Sequence, residues 1–456
     1  MGLNKNKLLA RSPWLVKRAL VNAEALYRDY FRRWGNFDDL VRHHTIDYLQ
    51  QPEDIQQAYQ SRRLADLVAH ARRHVPWYQS HLPHSLDDTP EAIRELPVLD
   101  RITRRDDPDA FVNPAIPSYA LWEGRTSGST GTPLRYQLGR EAVREQTAAY
   151  HGLMAYWGCP FSDVKVRIAG ATIIPPDQLK PPFWVYIDRY RQWLFSLHNL
   201  GPETYAHYLR GMIKARAAFG SGYAGAWRLL TRLALDNGDA APTLRRIFTD
   251  AEGLSPEEQD DMEGLFHCTV HQTYGTAEVG MTAVQCEHRN YHVLSRSKIV
   301  EVLDDNMQPV GPGESGQIFI TDLTNMNAPF IRYATGDIGT RAVGPCACGF
   351  TGMTLSRIVG RMDDYIVTPD GRMLTRLDFV LKVDYGVRES QLVQTAPDRL
   401  KIRLVPAADY NRELEEKIIA NARSYVGADM AISVDKVDRL PRTAGGKVRY
   451  VVREFD

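Results

Sequence analysis

Ten consecutive residues, Gly124-Arg125-Thr126-Ser127-Gly128-Ser129-Thr130-Gly131-Thr132-Pro133, carry three glycines and five hydroxyl side chains. Glycine reaches backbone conformations closed to other residues and lets N–H groups approach a ligand. Successive N–H groups in such turns form concave anion sites. Hydroxyls add donors without charge. The stretch is a candidate polyphosphate loop, with Ser127, Gly128, Ser129, Thr130, Gly131 and Thr132 gripping the ligand. A Walker A loop would add a lysine to reach the outer phosphates. This stretch has none, so a cation for phosphate chemistry must come from elsewhere in the chain.

Four more polar motifs follow in order: Tyr274-Gly275-Thr276-Ala277-Glu278, Tyr333-Ala334-Thr335-Gly336-Asp337, Gly360-Arg361-Met362-Asp363-Asp364 and Pro441-Arg442-Thr443-Ala444-Gly445-Gly446-Lys447. Each is weak alone. The ordered set resembles the adenylate-forming superfamily of acyl-CoA synthetases, peptide-synthetase adenylation domains and luciferases. Within it, the chain is most similar to the phenylacetate–CoA ligase family and its capsule-cluster relatives. The resemblance runs from about residue 60 to the C-terminus.

The resemblance implies an ATP-dependent ligase. A carboxylate attacks the α-phosphate, giving an acyl adenylate and pyrophosphate, and the acyl group then passes to CoA. Two anions are brought together, so positive charge and Mg²⁺ carry much of the stabilisation. Glu278 is a hard oxygen ligand suited to Mg²⁺. Thr276 can hydrogen-bond the α-phosphate, Tyr274 offers adenine a flat face beside Gly275, and Asp337 can accept from the ribose hydroxyls. The family gives these positions the same roles. By the same resemblance Arg361 contacts ribose or phosphate, and Asp250, Ala251 and Glu252 lie along adenine. Lys447 matches the adenylation lysine and supplies the cation the loop lacks. Asp363 matches the hinge about which a small domain turns between the two half-reactions.

A second constellation combines Cys286, His288 and His292 with Cys346 and Cys348. Structural Zn²⁺ takes four Cys/His ligands, often from two short knuckles. Some phenylacetate-ligase relatives hold zinc through Cys-x₅-His and Cys-x-Cys. That pattern selects Cys286, His292, Cys346 and Cys348, with His288 in reserve. Cys159 and Cys268 have no evident partner and are expected to be buried.

The resemblance also places an acyl pocket near Tyr136, Tyr223 and Ala224. Trp184, Tyr186, Trp193 and Trp227 occur in nearby stretches and either sandwich an aryl acid or pack the core. The expected substrate is an aryl or small organic acid, and segment 164–200 is closer to the capsule-cluster relatives than to phenylacetate ligases. Besides CoA, the acceptor could be an amine, a sugar or a carrier protein. A non-catalytic nucleotide-binding scaffold is the reading from a different functional class.

The elements that must position these residues follow from periodicity. At 456 residues the chain has room for two or three domains. Helices are expected over 140–156, 203–219 and 224–236 and from Pro256 onward. They alternate with strands at 164–174, 244–249 and 270–274, which predicts α/β architecture with a mostly parallel sheet. Short strands at 292–294, 298–303 and 316–321, separated by turn residues, predict a small antiparallel region. After residue 361, strands at 400–404 and 431–437 with helices at 377–383 and 411–425 predict a small α+β domain. The expected division is therefore a helical extension over 1–60, a large ATP- and acyl-binding domain over 61–361, and a small mobile domain over 362–456.

Composition narrows the class further. Lys+Arg and Asp+Glu both number 56, so no global charge directs the chain to nucleic acid. No apolar run is long enough to span a bilayer, and the N-terminus lacks the pattern of a signal peptide. Five cysteines fit a reducing cytoplasm. The N-terminal segment pairs an apolar stripe (Leu8, Leu9, Trp14, Leu15, Val16, Leu20, Leu26) with Lys5, Lys7, Arg11, Lys17 and Arg18. It reads either as a helix packed on the body with a solvated basic face, or as a contact for a membrane surface or partner. A homodimer is a further expectation.

Overall fold

A computed structural model describes residues 9–43, 46–87, 89–126, 134–171, 173–175, 178–359, 366–369, 373–374, 387–406, 410–438, 440–441 and 451–455. The chain divides into two compact units. One comprises Met1–Gly124, Tyr136–Thr335 and Gly339–Ile358; the other comprises Arg125–Arg135, Gly336–Ile338 and Val359–Asp456.

The first unit is built on a twelve-stranded sheet. In spatial order its strands are Lys298–Leu303, Ser315–Asp322, Tyr333–Arg341, Thr354–Val359, Tyr291–Val293, Gly280–Gln285, Thr269–Thr276, Arg246–Asp250, Phe219–Tyr223, Lys165–Ala169, Gln192–Ser196 and Trp184–Ile187. From Thr269–Thr276 to Gln192–Ser196 neighbouring strands run parallel. On the other side, Thr269–Thr276, Gly280–Gln285, Tyr291–Val293 and Thr354–Val359 pair antiparallel. Lys298–Leu303 and Ser315–Asp322 form a further antiparallel pair. The two textures of the sequence are thus halves of one sheet. They meet on a single strand, parallel through Thr269–Gln272 and antiparallel through Thr273–Thr276.

Local chemistry sets several boundaries. Helix Pro256–Phe266 opens with a capping box: the Glu258 N–H donates to Ser255 Oγ, and the Ser255 N–H donates to the Glu258 carboxylate. Helix Ala224–Asp236 ends just before Gly238, which takes φ +67. The helix expected over 203–219 is shorter, Tyr205–Ala215, because Arg216 leaves it in the left-handed region. Phe219–Tyr223 is a central strand instead. Its glycines argue against a strand by propensity, but packing requires them. A Cβ on Gly220 would come within 2.5 Å of the Trp227 ring, and one on Gly222 within 2.0 Å of the Ile168 carbonyl oxygen.

Trp227, Phe183, Phe195, Tyr208 and Phe266 fill the core of the parallel half. Trp227 is fully buried and its Nε1 donates to the Ser221 carbonyl at 2.9 Å. The Trp184 ring lies 4.8 Å from Phe195. Trp227 therefore packs the core, and the half-buried Trp184 packs against it. Cys159 is buried, whereas Cys268, expected to be buried, is only half-covered just past the end of helix Pro256–Phe266.

The second unit holds a four-stranded sheet in the order Ala431–Lys436, Arg399–Pro406, Val387–Ala396, Val451–Arg453. Its central pair is antiparallel and both outer pairs are parallel. Helix Arg412–Val426 starts where the Asn411 side chain accepts from the Leu414 N–H, and buries Ile418, Ala422 and Val426 against Leu392, Leu400 and Ile402. The helix expected at 377–383 lies outside the described residues.

Candidate functional site

The strand that joins the sheet halves carries the second motif at its carboxyl end. Ligands of open α/β sheets collect beyond the carboxyl ends of parallel strands. A bulge falls between Tyr274 and Gly275. A Cβ on Gly275 would meet the Gly280 carbonyl oxygen at 2.1 Å, so only glycine fits. The Val279 N–H donates to Thr276 Oγ1 at 3.4 Å and helps close the turn into the next strand. Tyr274 and Thr276 are half-buried and Gly275 is exposed, so all three reach the surface.

Glu278, two residues beyond, is buried, and the Tyr333 hydroxyl donates to its Oε1 at 2.9 Å. Tyr333 is held by its neighbours. Arg332 takes φ +47, a costly conformation for a long side chain. Its guanidinium fixes that geometry: Nη2 and Nε donate to Glu301 at 2.9 and 3.0 Å, and Nη1 donates to the Leu96 carbonyl at 2.9 Å. The Ala334 N–H donates to the Leu99 carbonyl at 2.9 Å.

Arg104 is fully buried nearby, its guanidinium 4.7 Å and 4.4 Å from the Phe111 and Phe330 ring centres. Burial pushes it down to about 10, with Tyr78, Tyr333 and Glu278 opposing. It therefore stays charged at neutral pH. Its Nε and Nη2 meet no hydrogen-bond partner among the described residues. Burial, assisted by the Glu278 charge, pushes Tyr136 up to about 12. Glu278 thus sits among Tyr333, Tyr136 and Arg104. No sequence signal links position 104 to 278, and Tyr333 carried no role in its motif. A single carboxylate suits Mg²⁺, which keeps waters and takes phosphate oxygens as its other ligands.

A second polar group lies at the ends of the parallel strands. Arg167 Nη2 donates to Asp250 Oδ2 at 2.7 Å. Burial works against the Arg167 charge, but Asp250 and Tyr150 outweigh it and hold the guanidinium above its ordinary value. Burial also pushes Tyr150 up to about 12, against the effect of Arg167 and its hydrogen bonds to Ser221 and Arg167. Ala251 takes φ +73. The Glu252 carboxylate lies 3.3 Å from Arg228 and occupies space beside Gly225, where a Cβ would come within 2.5 Å of it. The side chains of Asp250 and Glu252 are therefore engaged within the protein. Of the expected pocket residues, Tyr136 and Ala224 are buried and Tyr223 is half-buried. The Tyr223 ring lies 3.1 Å from where a Gly170 Cβ would stand.

Four soft ligands converge in the antiparallel half. The ligand atoms of Cys286, His292, Cys346 and Cys348 all lie within 4.8 Å of one another. Cys286 Sγ is 3.6 Å from Cys346 Sγ, and Cys348 Sγ is 3.1 Å from His292 Nε2. A tetrahedron with Zn–S bonds of ~2.3 Å has edges of about 3.7 Å, so the donor set fits Zn²⁺. Burial pushes the His292 imidazole down to about 4, which favours the neutral, ligating form. Its Nδ1 lies 3.3 Å from Thr354 Oγ1, an outer partner that orients the ring. Asn290 Nδ2 donates to Cys346 Sγ at 3.4 Å. His288 is not in the group.

Asp337 is 9% exposed on strand Tyr333–Arg341, directly after Gly336 at φ +78. It belongs to the unit that carries the C-terminal sheet, as do the described flanks of the glycine-rich loop, where the Thr126 N–H donates to the Leu134 carbonyl at 2.9 Å. Ser127, Gly128, Ser129, Thr130, Gly131, Thr132, Arg361, Asp363 and Lys447 lie outside the described residues.

Comparison with known proteins adds three kinds of likeness. The CapK C-terminal domain family matches residues 366–454. Protein CapK of Staphylococcus aureus is 23% identical over 346 residues, which cover 72% of this chain and 74% of that protein. Phenylacetate-coenzyme A ligase of Thermus thermophilus is 26% identical over 208 residues, covering 39% of this chain and 47% of that enzyme. The chain is thus similar to a capsule-cluster protein and, over a shorter stretch, to a phenylacetate-coenzyme A ligase. Crystal structures of 2-hydroxyisobutyryl-CoA ligase share the fold of this chain. The one in complex with 2-HIB-AMP and CoA has a TM-score of 0.60 at 19% identity, covering 89% of this chain and 91% of that one. The postadenylation state with R3-HIB-AMP gives 0.58 at 19% identity, covering 89% and 90%.

Proposed function

We propose that this protein activates a carboxylic acid with ATP and transfers the acyl group to CoA. The supporting observation is the placement of Tyr274, Thr276 and Glu278 where the sheet changes sense, with Glu278 buried against Tyr333. Relatives that include a phenylacetate-coenzyme A ligase support the same reading. An oxygen of the acid attacks the α-phosphorus, the bond to the bridging oxygen breaks, and pyrophosphate leaves with the electron pair. The CoA thiolate then attacks the acyl carbon and AMP leaves.

In this reading Ser127–Thr132 grip the β- and γ-phosphates, Thr276 bonds the α-phosphate and Lys447 bridges it to the acid. Tyr274 and the backbone of Asp250–Glu252 border adenine, Asp337 accepts from the ribose, Arg361 contacts ribose or phosphate, and Asp363 is the hinge. Glu278 would hold Mg²⁺, which offsets the phosphate charge. Cys286, His292, Cys346 and Cys348 would hold a structural Zn²⁺ that ties the loop around Cys346 to the sheet and leaves no open position. With Trp227 in the core, the polar groups of Arg167, Tyr150 and Tyr223 near the strand ends favour a small polar acid over a plain aryl acid.

Pyrophosphate exchange across a panel of acids, followed by AMP release with and without CoA, tests the proposal. Lys447→Ala should lower exchange by roughly a thousandfold while ATP still binds. Absence of exchange with every acid overturns adenylation. AMP release that ignores CoA but responds to an amine, a sugar or a carrier protein overturns the acceptor.

A further inference from the structure

Among the described residues, Arg104 is the largest charged side chain that is fully buried. It lies on the short helix Arg101–Asp106, in none of the motifs. The Phe111 and Phe330 rings lie against its guanidinium, and its Nη1 donates to the carbonyls of Phe111 and Pro329 at 3.3 Å each. Ring faces and carbonyls offer only partial charges, whereas a buried cation calls for a full one. Three acids near it in sequence are engaged elsewhere. Asp100 Oδ1 accepts from the Ile102 and Thr103 N–H groups at 2.7 and 2.8 Å, Asp106 pairs with Arg105, and Asp107 accepts from the Ala110 N–H at 3.3 Å. Glu278, only 1% exposed, is the carboxylate whose charge favours the guanidinium. A short chain of contacts joins the two. The Phe330 ring lies 5.1 Å from the Tyr333 ring, and the Tyr333 hydroxyl donates to Glu278 Oε1 at 2.9 Å. The backbone between is tied to the same place. The Pro329 carbonyl accepts from the Tyr78 hydroxyl at 3.2 Å as well as from Arg104, and the Ile331 N–H donates to the Tyr78 hydroxyl at 3.4 Å.

We propose that Arg104 is a positioning residue, whose buried charge holds the Glu278 carboxylate in the place from which it would meet Mg²⁺. The metal's part rests on the ligase reading above; the pairing of the two side chains does not. Tyr333 is a neutral donor to one carboxylate oxygen. A buried carboxylate with only neutral donors is drawn toward water, where solvation favours it. A fixed cation opposes that pull. The guanidinium keeps its proton under all ordinary conditions, and two rings and two carbonyls define where it sits. The carboxylate is therefore set before a nucleotide arrives, and no reorganisation is needed at the moment of reaction. Arg104 touches neither nucleotide nor acid in this account and acts only through Glu278.

The test compares the full chain with Arg104→Met, Arg104→Lys, Glu278→Gln and the double replacement of Arg104→Met with Glu278→Gln. In chemical denaturation, Arg104→Met and Glu278→Gln each leave one buried charge without its partner. Each should lower the folding equilibrium constant roughly a hundredfold, and the double replacement should recover most of the loss. Should Arg104→Met fail to fold, the double replacement should still fold; its failure as well overturns the proposal. In pyrophosphate exchange, Arg104→Met should raise the Mg²⁺ concentration for half-maximal rate by about 10–100-fold, with most of the rate regained at saturating Mg²⁺. Arg104→Lys, which keeps a cation, should need less Mg²⁺ than Arg104→Met. Losses that simply add in the double replacement overturn the proposal. So does a Mg²⁺ requirement that Arg104→Met leaves unchanged or lowers, since Arg104 would then only pack the core or repel the metal. Absence of exchange in the wild-type chain overturns the ligase reading instead, and the denaturation cycle then decides the pairing by itself.

Discussion

The parallel and antiparallel halves of the large sheet are stabilised by different means. The parallel half encloses an apolar core around Trp227, Phe183, Phe195 and Phe266. The antiparallel half buries charge. Lys298 and Asp322 pair at 2.7 Å with both side chains inaccessible, and Arg332 grips Glu301 at 2.9 Å. The four-ligand Cys/His group lies on the same side. Apolar packing tolerates modest changes of shape, whereas a buried charge demands its partner. The half bordering Glu278 is therefore the more exactingly specified, and the candidate catalytic residues lie between an adaptable core and this polar frame.

Metal removal should separate the halves most. Stripping zinc, or replacing Cys346 and Cys348 by serine, should cost upward of about 5 kcal/mol, less than the ~10–16 kcal/mol of zinc-finger peptides because strands Gly280–Gln285, Tyr291–Val293 and Thr354–Val359 also pair by backbone hydrogen bonds around the site. Calorimetry with metal analysis reads this; an unchanged unfolding temperature after stripping would leave the antiparallel half without its proposed metal. Next is Asp322→Ala, which takes the ion-pair partner from the buried Lys298 ammonium and leaves only the charge of Glu145 to favour it. Chemical denaturation should show a loss of about 3–5 kcal/mol, and Lys298→Met with Asp322→Leu should restore most of it. If the double replacement is as damaging as the single one, the pair does more than neutralise itself. In the parallel half, Trp227→Ala should cost about 3–5 kcal/mol and a conservative Trp227→Phe clearly less. Equal losses would show that this core is as exacting as the charged one.

Acid should act where the halves meet. His271 lies on the joining strand, its ring 4.0 Å from Trp157 and 5.3 Å from Phe248. Burial pushes it from 6.5 down to about 4. The unfolded chain therefore takes up the proton first. The contribution is complete above about pH 6.5 and is lost as pH falls toward 4, up to about 3 kcal/mol. Denaturation curves at several pH values should flatten over that window in His271→Phe; an unaltered slope would place the acid sensitivity elsewhere. The smallest effect is expected from Tyr333→Phe, which removes the hydroxyl donor to Glu278 and should cost about 1–3 kcal/mol. Its adenylation rate, measured alongside, shows whether that hydrogen bond positions Glu278 or only stabilises it.

Much of the chain was legible locally. Helix 140–156 and helix 224–236 coincide with their expected limits, because caps, glycines and periodicity act over a few residues. Strand Lys298–Leu303 was equally plain. Strand Phe219–Tyr223 was not, since its glycines answer to Trp227 and Ile168 rather than to their neighbours. The same holds for Trp184 and Trp227, whose types suit a pocket or a core equally well until packing decides.

The sequence by itself determined which chemistries were available: hydroxyls and glycines in a loop, a lone hard carboxylate at Glu278, soft ligands at Cys286, His292, Cys346 and Cys348, and the resemblance that their order carries. Such features depend on residue type and short spacing. Tertiary structure alone decided that two unlike sheet regions share the strand Thr269–Thr276, that Arg104 and Tyr333 gather about Glu278, and that Val21 and Ala25 fasten helix Trp14–Arg32 to the parallel half. Each depends on contacts between distant segments, where burial and charge pairing act and local propensity does not reach.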